Sequence, residues 1–455
     1  MQIPRQIFKM YDIRGLVGEE ITPELALAIG RGFAALLRKE KPSGELKVAV
    51  GRDMRQTSLG YQTQVMQGLI ESGVKVFDIG LVSTPAFYFG VGETSADGGI
   101  MVSASHNPAA YNGFKMTREQ AIPISGETGI TELADIIETE SYISSDTIGT
   151  IEVIENIPEK AVEAEMAFAG EAPIGQLKIV ADSGNGMGAQ YLDILFNRLG
   201  LDFEKIFWEL DGSFPNHEAD PLKEENVVVI KYKVVEQGAD LGIATDGDGD
   251  RIFFIDNLGQ VVPQAIVRGI LAEQILKKFP AAAIGYDIRP GRITKDLILA
   301  AGGKPFVTRV GHSLIKEKMR EMNAVYGGES SGHFFYKFER GTYEGPIVAV
   351  LHFLHALHAS GKSCAEFVEP YKIYVHSGEL NFTVDDKVAA MQRIKDHFQD
   401  GELNELDGIS ITYPNFWFNV RPSNTEPILR FALEAVDEDT MEQKRSEITQ
   451  LIQGE

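Results

Sequence analysis

The chain has 455 residues, 44% hydrophobic and 24% charged, which excludes a single ordinary core and predicts three or four globular domains with clefts between them. Its net charge of −23, from 43 Lys+Arg against 66 Asp+Glu, argues against nucleic acid or an anionic membrane as the main partner. A lone Cys364 rules out an intrachain disulfide or a cysteine-built zinc site, and without a membrane-length apolar run or an apolar leader in MQIPRQIFKMYDIRG the expected compartment is the cytoplasm.

Along the chain a short β-branched run repeatedly ends in a Gly-, Ser- or Asp-rich loop and a helical pattern follows, the grammar of βαβ units and a parallel sheet. Residues 47–50 run into Gly51-Arg52-Asp53, residues 99–102 into Ser103-Ala104-Ser105-His106, and residues 177–181 into Asp182-Ser183-Gly184-Asn185-Gly186. Residues 241–245 lead to Asp246 and Arg251, residues 283–286 to Asp287-Ile288-Arg289, and residues 324–326 to Gly327 and His333. Ligands in open α/β sheets bind beyond the carboxyl ends of strands, so these loops are where a site is expected. From about residue 371 the pattern changes to strand, helix, three strands and helix, with Val388, Met391, Ile394 and Phe398 as an apolar helical stripe. The acidic stretch 136–165, the segment 255–262 and the segment 368–372 with Pro370 read as boundaries. The expected domains are 1–150, 151–256, 257–368 and 369–455.

Four loops carry chemistry. In Asp246-Gly247-Asp248-Gly249-Asp250-Arg251 the glycines let three carboxylates face one point. Two unit charges about 4 Å apart repel by about 4 kcal/mol at an effective dielectric of 20, so the trio calls for a cation. All-oxygen ligation with positions left open favours Mg²⁺, and an EF-hand is disfavoured because Arg251 and Asn257 stand where its turn Gly and bidentate Glu belong. Ser103-Ala104-Ser105-His106-Asn107-Pro108 is a polar turn restrained by Pro108, and Asn112-Gly113-Phe114-Lys115 brings a cation toward it. Ser105 held in this way can be a nucleophile if a base is near. Gly327-Gly328-Glu329-Ser330-Ser331-Gly332-His333 offers a carboxylate and hydroxyls suited to vicinal sugar hydroxyls. Arg421-Pro422-Ser423-Asn424-Thr425-Glu426-Pro427 gathers a guanidinium, hydroxyls, an amide and turn N–H groups, the donor set of a phosphate site.

Two other features carry less. The glycines of Asp182–Met187 are spaced wrongly for a dinucleotide fingerprint despite Asp202 downstream, and a structural strand-to-helix turn is expected. His352, His355 and His358 lie on a predicted helix, where successive i,i+3 steps drift by about 60°, so packing rather than ligation is expected.

Taken in order, the four loops and Tyr11-Asp12-Ile13-Arg14-Gly15 resemble the α-D-phosphohexomutase family, in particular its bacterial phosphomannomutase/phosphoglucomutase branch, over nearly the whole chain. The resemblance implies an α/β molecule of three similar α/β domains with mixed, largely parallel sheets plus a C-terminal α+β domain, arranged around a central cleft. It implies a phosphoserine at Ser105 and Mg²⁺ held by Asp246, Asp248 and Asp250 together with phosphorylated Ser105. Glu329 and Ser331 would then read the sugar, with Arg289 and His333 nearby. Arg421, Ser423, Asn424 and Thr425 would grip the non-reacting phosphate. Lys115 and His312 are assigned to proton transfer, and Arg14 and Arg251 to charge neutralisation.

The implied reaction interconverts hexose 1- and 6-phosphates of mannose or glucose through a hexose 1,6-bisphosphate. The expected partner is a small sugar phosphate, with oligomeric state left open. A glucosamine-phosphate mutase ranks lower, since that branch usually begins Thr-Asp-Gly-Ile-Arg and has Gly in place of Asn424. A sugar-phosphate hydrolase or a non-catalytic sugar-phosphate-binding protein are the rivals. One departure is Tyr343-Glu344-Gly345, where many relatives have Asp before the Gly.

Overall fold

The computed structural model describes residues 1–201, 203–423 and 428–454, so Asp202, Asn424 and Thr425 lie outside the described residues. The chain divides into two compact units, Met1–Val262 with Ser331–Ala365, and Pro263–Ser330 with Glu366–Glu455.

The first unit opens with strands β1 (Ile13–Leu16), β2 (Lys47–Arg52), β3 (Lys75–Leu81), β4 (Gly98–Val102), β5 (Tyr111–Arg118) and β6 (Ile151–Val153), in sheet order β1-β5-β4-β2-β3-β6. The β4-β2-β3-β6 part is parallel, and β5 and β1 are antiparallel additions. Side chains alternate across such a sheet, so Val48 and Val50 join one core and Ala49 the other. Helices Pro23–Glu40 and Ser58–Glu71 cover the first core, and Thr84–Glu93 and Ile157–Ala169 the second. That double cover explains why all five residues of β4 are buried.

Strands β7 (Ile179–Asp182), β8 (Phe203–Ile206), β9 (Leu241–Thr245) and β10 (Ile252–Asp256) make a second sheet in order β10-β9-β7-β8, with β10 alone antiparallel. After β7 the chain turns into helix Gly188–Leu199 through Gly184 and Asn185, both at positive φ, and Asp182 Oδ1 accepts from Gly184 N at 2.8 Å. This is the structural turn its glycine spacing implies.

In the second unit β11 (Ala283–Asp287), β12 (Lys304–Thr308) and β13 (Tyr326–Gly328) are parallel, with β11 between the other two. The chain then re-enters the first unit as an antiparallel hairpin, β14 (Phe334–Phe338) and β15 (Gly341–Glu344), followed by helix Pro346–Ser360. Glu165 Oε2 accepts from Ile347 N and Val348 N at 2.8 and 3.3 Å, satisfying amides that open this helix. His352 lies on it, buried, with its ring 6.4 Å from that of Tyr336, as packing predicts.

The second unit closes with β16 (Val375–Thr383), β17 (Glu402–Asn404), β18 (Ile409–Thr412), β19 (Phe416–Pro422) and β20 (Ile428–Ala435), an antiparallel sheet in order β16-β20-β19-β18-β17. Among the described residues four strands, not three, separate the helices Lys387–His397 and Glu438–Gln453. The extra one, β17, is three exposed residues and has no hydrophobic pattern to reveal it. The expected stripe also starts too early, since Val388 is 73% exposed while Ala390, Ile394 and Phe398 are buried. Among the described residues no helix is long and apolar enough to cross a membrane.

Candidate active site

The carboxyl ends of β4 and β9 bring two of the loops together inside the first unit. Ser105 follows β4 in the left-handed region, with φ +51°, and its Oγ donates to Asp246 Oδ2 at 3.2 Å. The same oxygen lies 3.1 Å from His106 Nδ1. Burial and the charges of Arg251 and Arg14 hold His106 well below the usual histidine range, so its ring is neutral.

Asp246, Asp248 and Asp250 are buried, and one oxygen from each falls within a span of 4.8 Å. The alternating glycines have separate reasons. A Cβ on Gly247 would lie 2.5 Å from the Ser105 carbonyl oxygen, whereas Gly249 needs φ +74°. Asp246 Oδ1 accepts from the N–H groups of Asp250 and Arg251 at 3.1 and 3.2 Å, which ties the turn to its first carboxylate. Burial, with Asp250 and Asp248 beside it, raises Asp246 well above the ordinary carboxylate range. At Asp250 burial is outweighed by Lys115 and His333, and its carboxyl is held well below that range.

Lys115, on β5 opposite Met101, places Nζ 2.7 Å from both Asp248 Oδ2 and Asp250 Oδ2. Those two carboxylates overcome its burial and keep it an ammonium. Asp250 Oδ1 pairs with His333 Nε2 at 3.0 Å, and His333 Nδ1 meets Ser331 Oγ at 2.8 Å. Arg14, paired with Asp12 at 2.6 Å, donates to Ala104 O and Asn107 Oδ1 of the serine loop at 3.2 and 2.7 Å. Arg251 lies 3.7 Å from Asp246 Oδ2 and 3.4 Å from Asp220 Oδ1. Among the described residues the first unit therefore gathers the Ser105 hydroxyl, the three carboxylates of the aspartate loop, the cations Lys115, Arg14 and Arg251, and the imidazoles of His106 and His333.

In the second unit Arg289 donates to Asp287 Oδ2 at 2.5 Å and lies 3.2 Å from Glu329 Oε1. Glu329 Oε1 also accepts from Gly311 N at 3.0 Å, next to His312, which begins the helix His312–Glu321 and is half-buried. Arg421, on β19 and buried, donates to Glu379 Oε2 at 2.5 Å and to Asn419 Oδ1 at 3.2 Å. Ser423 N donates to Ile428 O at 3.0 Å.

Family profiles match almost the full chain in order. They are Phosphoglucomutase/phosphomannomutase alpha/beta/alpha domains I, II and III at residues 5–144, 159–259 and 265–374, and the C-terminal domain at 379–451. This chain belongs to the phosphoglucomutase/phosphomannomutase family. It is 38% identical over 451 residues to the "Phosphohexose mutases" protein of Xanthomonas campestris pv. campestris, covering 98% of this chain and 99% of that one. It is 38% identical over 448 residues to a "Phosphomannomutase" of Methanocaldococcus jannaschii, covering 98% and 97%. A solved structure of a phosphoglucomutase/phosphomannomutase family protein from Burkholderia thailandensis superposes with a TM-score of 0.90 at 30% identity, covering 99% and 98%. The four-domain α/β architecture expected from the sequence is that of this family.

The residues of the aspartate loop fit a divalent ion. Asp248 Oδ1 is buried and accepts no hydrogen bond among the described residues, and such an oxygen gains a partner when a cation binds. One group at the aspartate loop has no counterpart in the sequence reading. Thr84, 164 residues before Asp248, donates its hydroxyl to Asp248 Oδ2 at 2.6 Å, and its N–H to Asp248 O at 2.9 Å. Only the N-terminus of helix Thr84–Glu93 could have hinted at it, through Ser83 as its cap.

Proposed function

We propose that the chain is a hexose-phosphate mutase that interconverts hexose 1-phosphate and hexose 6-phosphate of mannose, glucose or both, with Ser105 as the phosphoryl carrier. The observation that carries the reading is the 3.2 Å approach of Ser105 Oγ to Asp246 within a buried trio of carboxylates. Phosphoryl transfer depends chiefly on alignment and charge neutralisation, and this cluster supplies both.

Asp246, Asp248 and Asp250 would hold Mg²⁺, with a phosphate oxygen on Ser105 as a further ligand. When bound, the ion neutralises charge on the phosphoryl oxygens and on the departing serine oxygen. In the forward step the sugar hydroxyl oxygen forms a bond to phosphorus as the bond from phosphorus to Ser105 Oγ breaks. The hydroxyl proton ends on Ser105 Oγ, moved by Lys115 and His312, while Arg14 and Arg251 balance the phosphate charge. The resulting 1,6-bisphosphate turns over and returns its other phosphate to Ser105. Glu329 and Ser331, helped by Arg289 and His333, would grip the 3- and 4-hydroxyls. Glucose and mannose share those groups, so acceptance of both follows. Arg421, Ser423, Asn424 and Thr425 would grip whichever phosphate is not reacting, because such donors read oxygens rather than the sugar. Domain limits near 150, 256 and 368 and a cytoplasmic location belong to the same proposal.

The test is to incubate the protein with mannose 1-phosphate or glucose 1-phosphate, Mg²⁺ and bisphosphate activator. The 6-phosphate isomer is the expected product. Inorganic phosphate without the isomer would instead indicate a hydrolase, and no conversion with either sugar would overturn the proposal.

A further inference from the structure

The serine loop is held by a residue that no motif marks. Arg55 lies in the loop between β2 and helix Ser58–Glu71, with 3% of its surface exposed. Its Nη2 donates to Ser105 O and Asn107 O, at 2.9 and 2.5 Å, and its Nη1 to Pro108 O and Tyr111 O, at 3.0 and 2.9 Å. Three main-chain carbonyls of the serine loop and that of Tyr111, which opens β5, therefore converge on a single guanidinium. The guanidinium is fixed in turn. Asp53, fully buried, lies 3.4 Å from Nε and accepts from Arg55 N at 3.0 Å, and the Phe214 ring lies 5.0 Å away.

This arrangement answers a specific need. Ser105 carries φ +51°, a region that costs a side-chain-bearing residue energy and persists only where surroundings over-determine it. Charge-assisted hydrogen bonds are the stronger kind, and four from a rigid planar fork fix the loop in both position and orientation. One of them grips the Ser105 peptide itself. Lysine, a point charge on a flexible stem, cannot reproduce the fork.

We infer that Arg55 is a positioning residue for phosphoryl transfer, holding the Ser105 backbone in the strained geometry that aims Oγ at Asp246. The inference rests on Ser105 being the phosphoryl carrier. A loosened loop misaligns the phosphoryl group for a sugar hydroxyl whose approach is fixed by binding. Water, small and free to reorient, is affected less. Loss of phosphate to water per mutase turnover therefore rises.

The experiment compares wild type, Arg55→Lys and Arg55→Gln, each first phosphorylated with hexose 1,6-bisphosphate. It measures kcat and KM for hexose 1-phosphate, and the ratio of inorganic phosphate released to isomer formed. That ratio does not depend on how much of the sample is folded. The expected result is kcat down by about 100-fold in Arg55→Gln and less in Arg55→Lys, with KM nearly unchanged and the ratio up by about tenfold, the scale expected for a small misplacement. An unchanged ratio in a soluble variant, with kcat falling only in step with the folded fraction, overturns the role. If Arg55→Gln is insoluble, the Arg55→Lys ratio decides alone. No phosphate on wild-type Ser105 overturns the mutase reading as well, whereas phosphate present with an unmoved ratio overturns this inference only.

Discussion

Glu165 gives a stability prediction whose sign and size follow from its surroundings. It sits on helix Ile157–Ala169, 5% exposed, and among the described residues its Oε2 accepts from backbone donors, Ile347 N and Val348 N. Burial outweighs those two bonds and pushes its carboxyl up from 4.5 to about 8. Tyr191 and Tyr343, which feel its charge, are themselves held above the usual phenol range and stay protonated throughout this interval. The folded protein thus keeps a proton that the unfolded chain releases near 4.5, so Glu165's contribution is complete below 4.5 and is lost as pH rises through about 8. Each pH unit in that window is worth about 1.4 kcal/mol, or about 3 kcal/mol between about pH 5.5 and about pH 7.5. Glu165→Gln keeps an acceptor for the two amides and removes the titration. Urea unfolding of both proteins at the two pH values is the assay. The variant should gain on wild type by about 1–3 kcal/mol on going to the higher pH. A stability difference that is the same at both would refute the reasoning.

Three further outcomes concern the first unit. Asp248→Asn, which weakens the carboxylate that bears the unsatisfied oxygen, is expected to cut isomerisation by about 100-fold or more, as is chelation of divalent ions, with Mg²⁺ restoring only the chelated wild type. Thr84→Val removes the 2.6 Å bond that orients Asp248 and should raise the Mg²⁺ needed for half-maximal turnover by about tenfold, read from a metal titration of initial rate. Gly247→Ala places a methyl group 2.5 Å from the Ser105 carbonyl oxygen, so turnover should fall by about tenfold or more with thermal stability lowered only modestly.

The aspartate loop was legible because its chemistry is local. Three acids separated by single glycines state their convergence in the sequence, and the structure brings their oxygens within 4.8 Å. Lys115 was legible as a cation near the serine turn because β5 returns beside β4 after a short connection. Thr84 and Arg55 were not, since a hydroxyl bonding an aspartate 164 positions away, or a guanidinium gathering main-chain carbonyls, depends on how helices and loops pack. The φ of Ser105 was hidden for the same reason, because nothing in a Ser-His-Asn-Pro turn requires the left-handed region. In the C-terminal sheet β17 escaped notice because its three residues are all exposed and pattern reading needs a buried face. Val388 misled in the opposite direction, as an apolar residue in the first helical turn that faces solvent.

The most direct measurement is intact and peptide mass analysis of the protein after exposure to hexose 1,6-bisphosphate and then to excess hexose 1-phosphate. One phosphoryl group should appear on Ser105, be replaced with label from the sugar during turnover, and be absent in Ser105→Ala along with the isomerase activity. Label that never enters Ser105 while isomer still forms, or full activity in Ser105→Ala, would contradict the account.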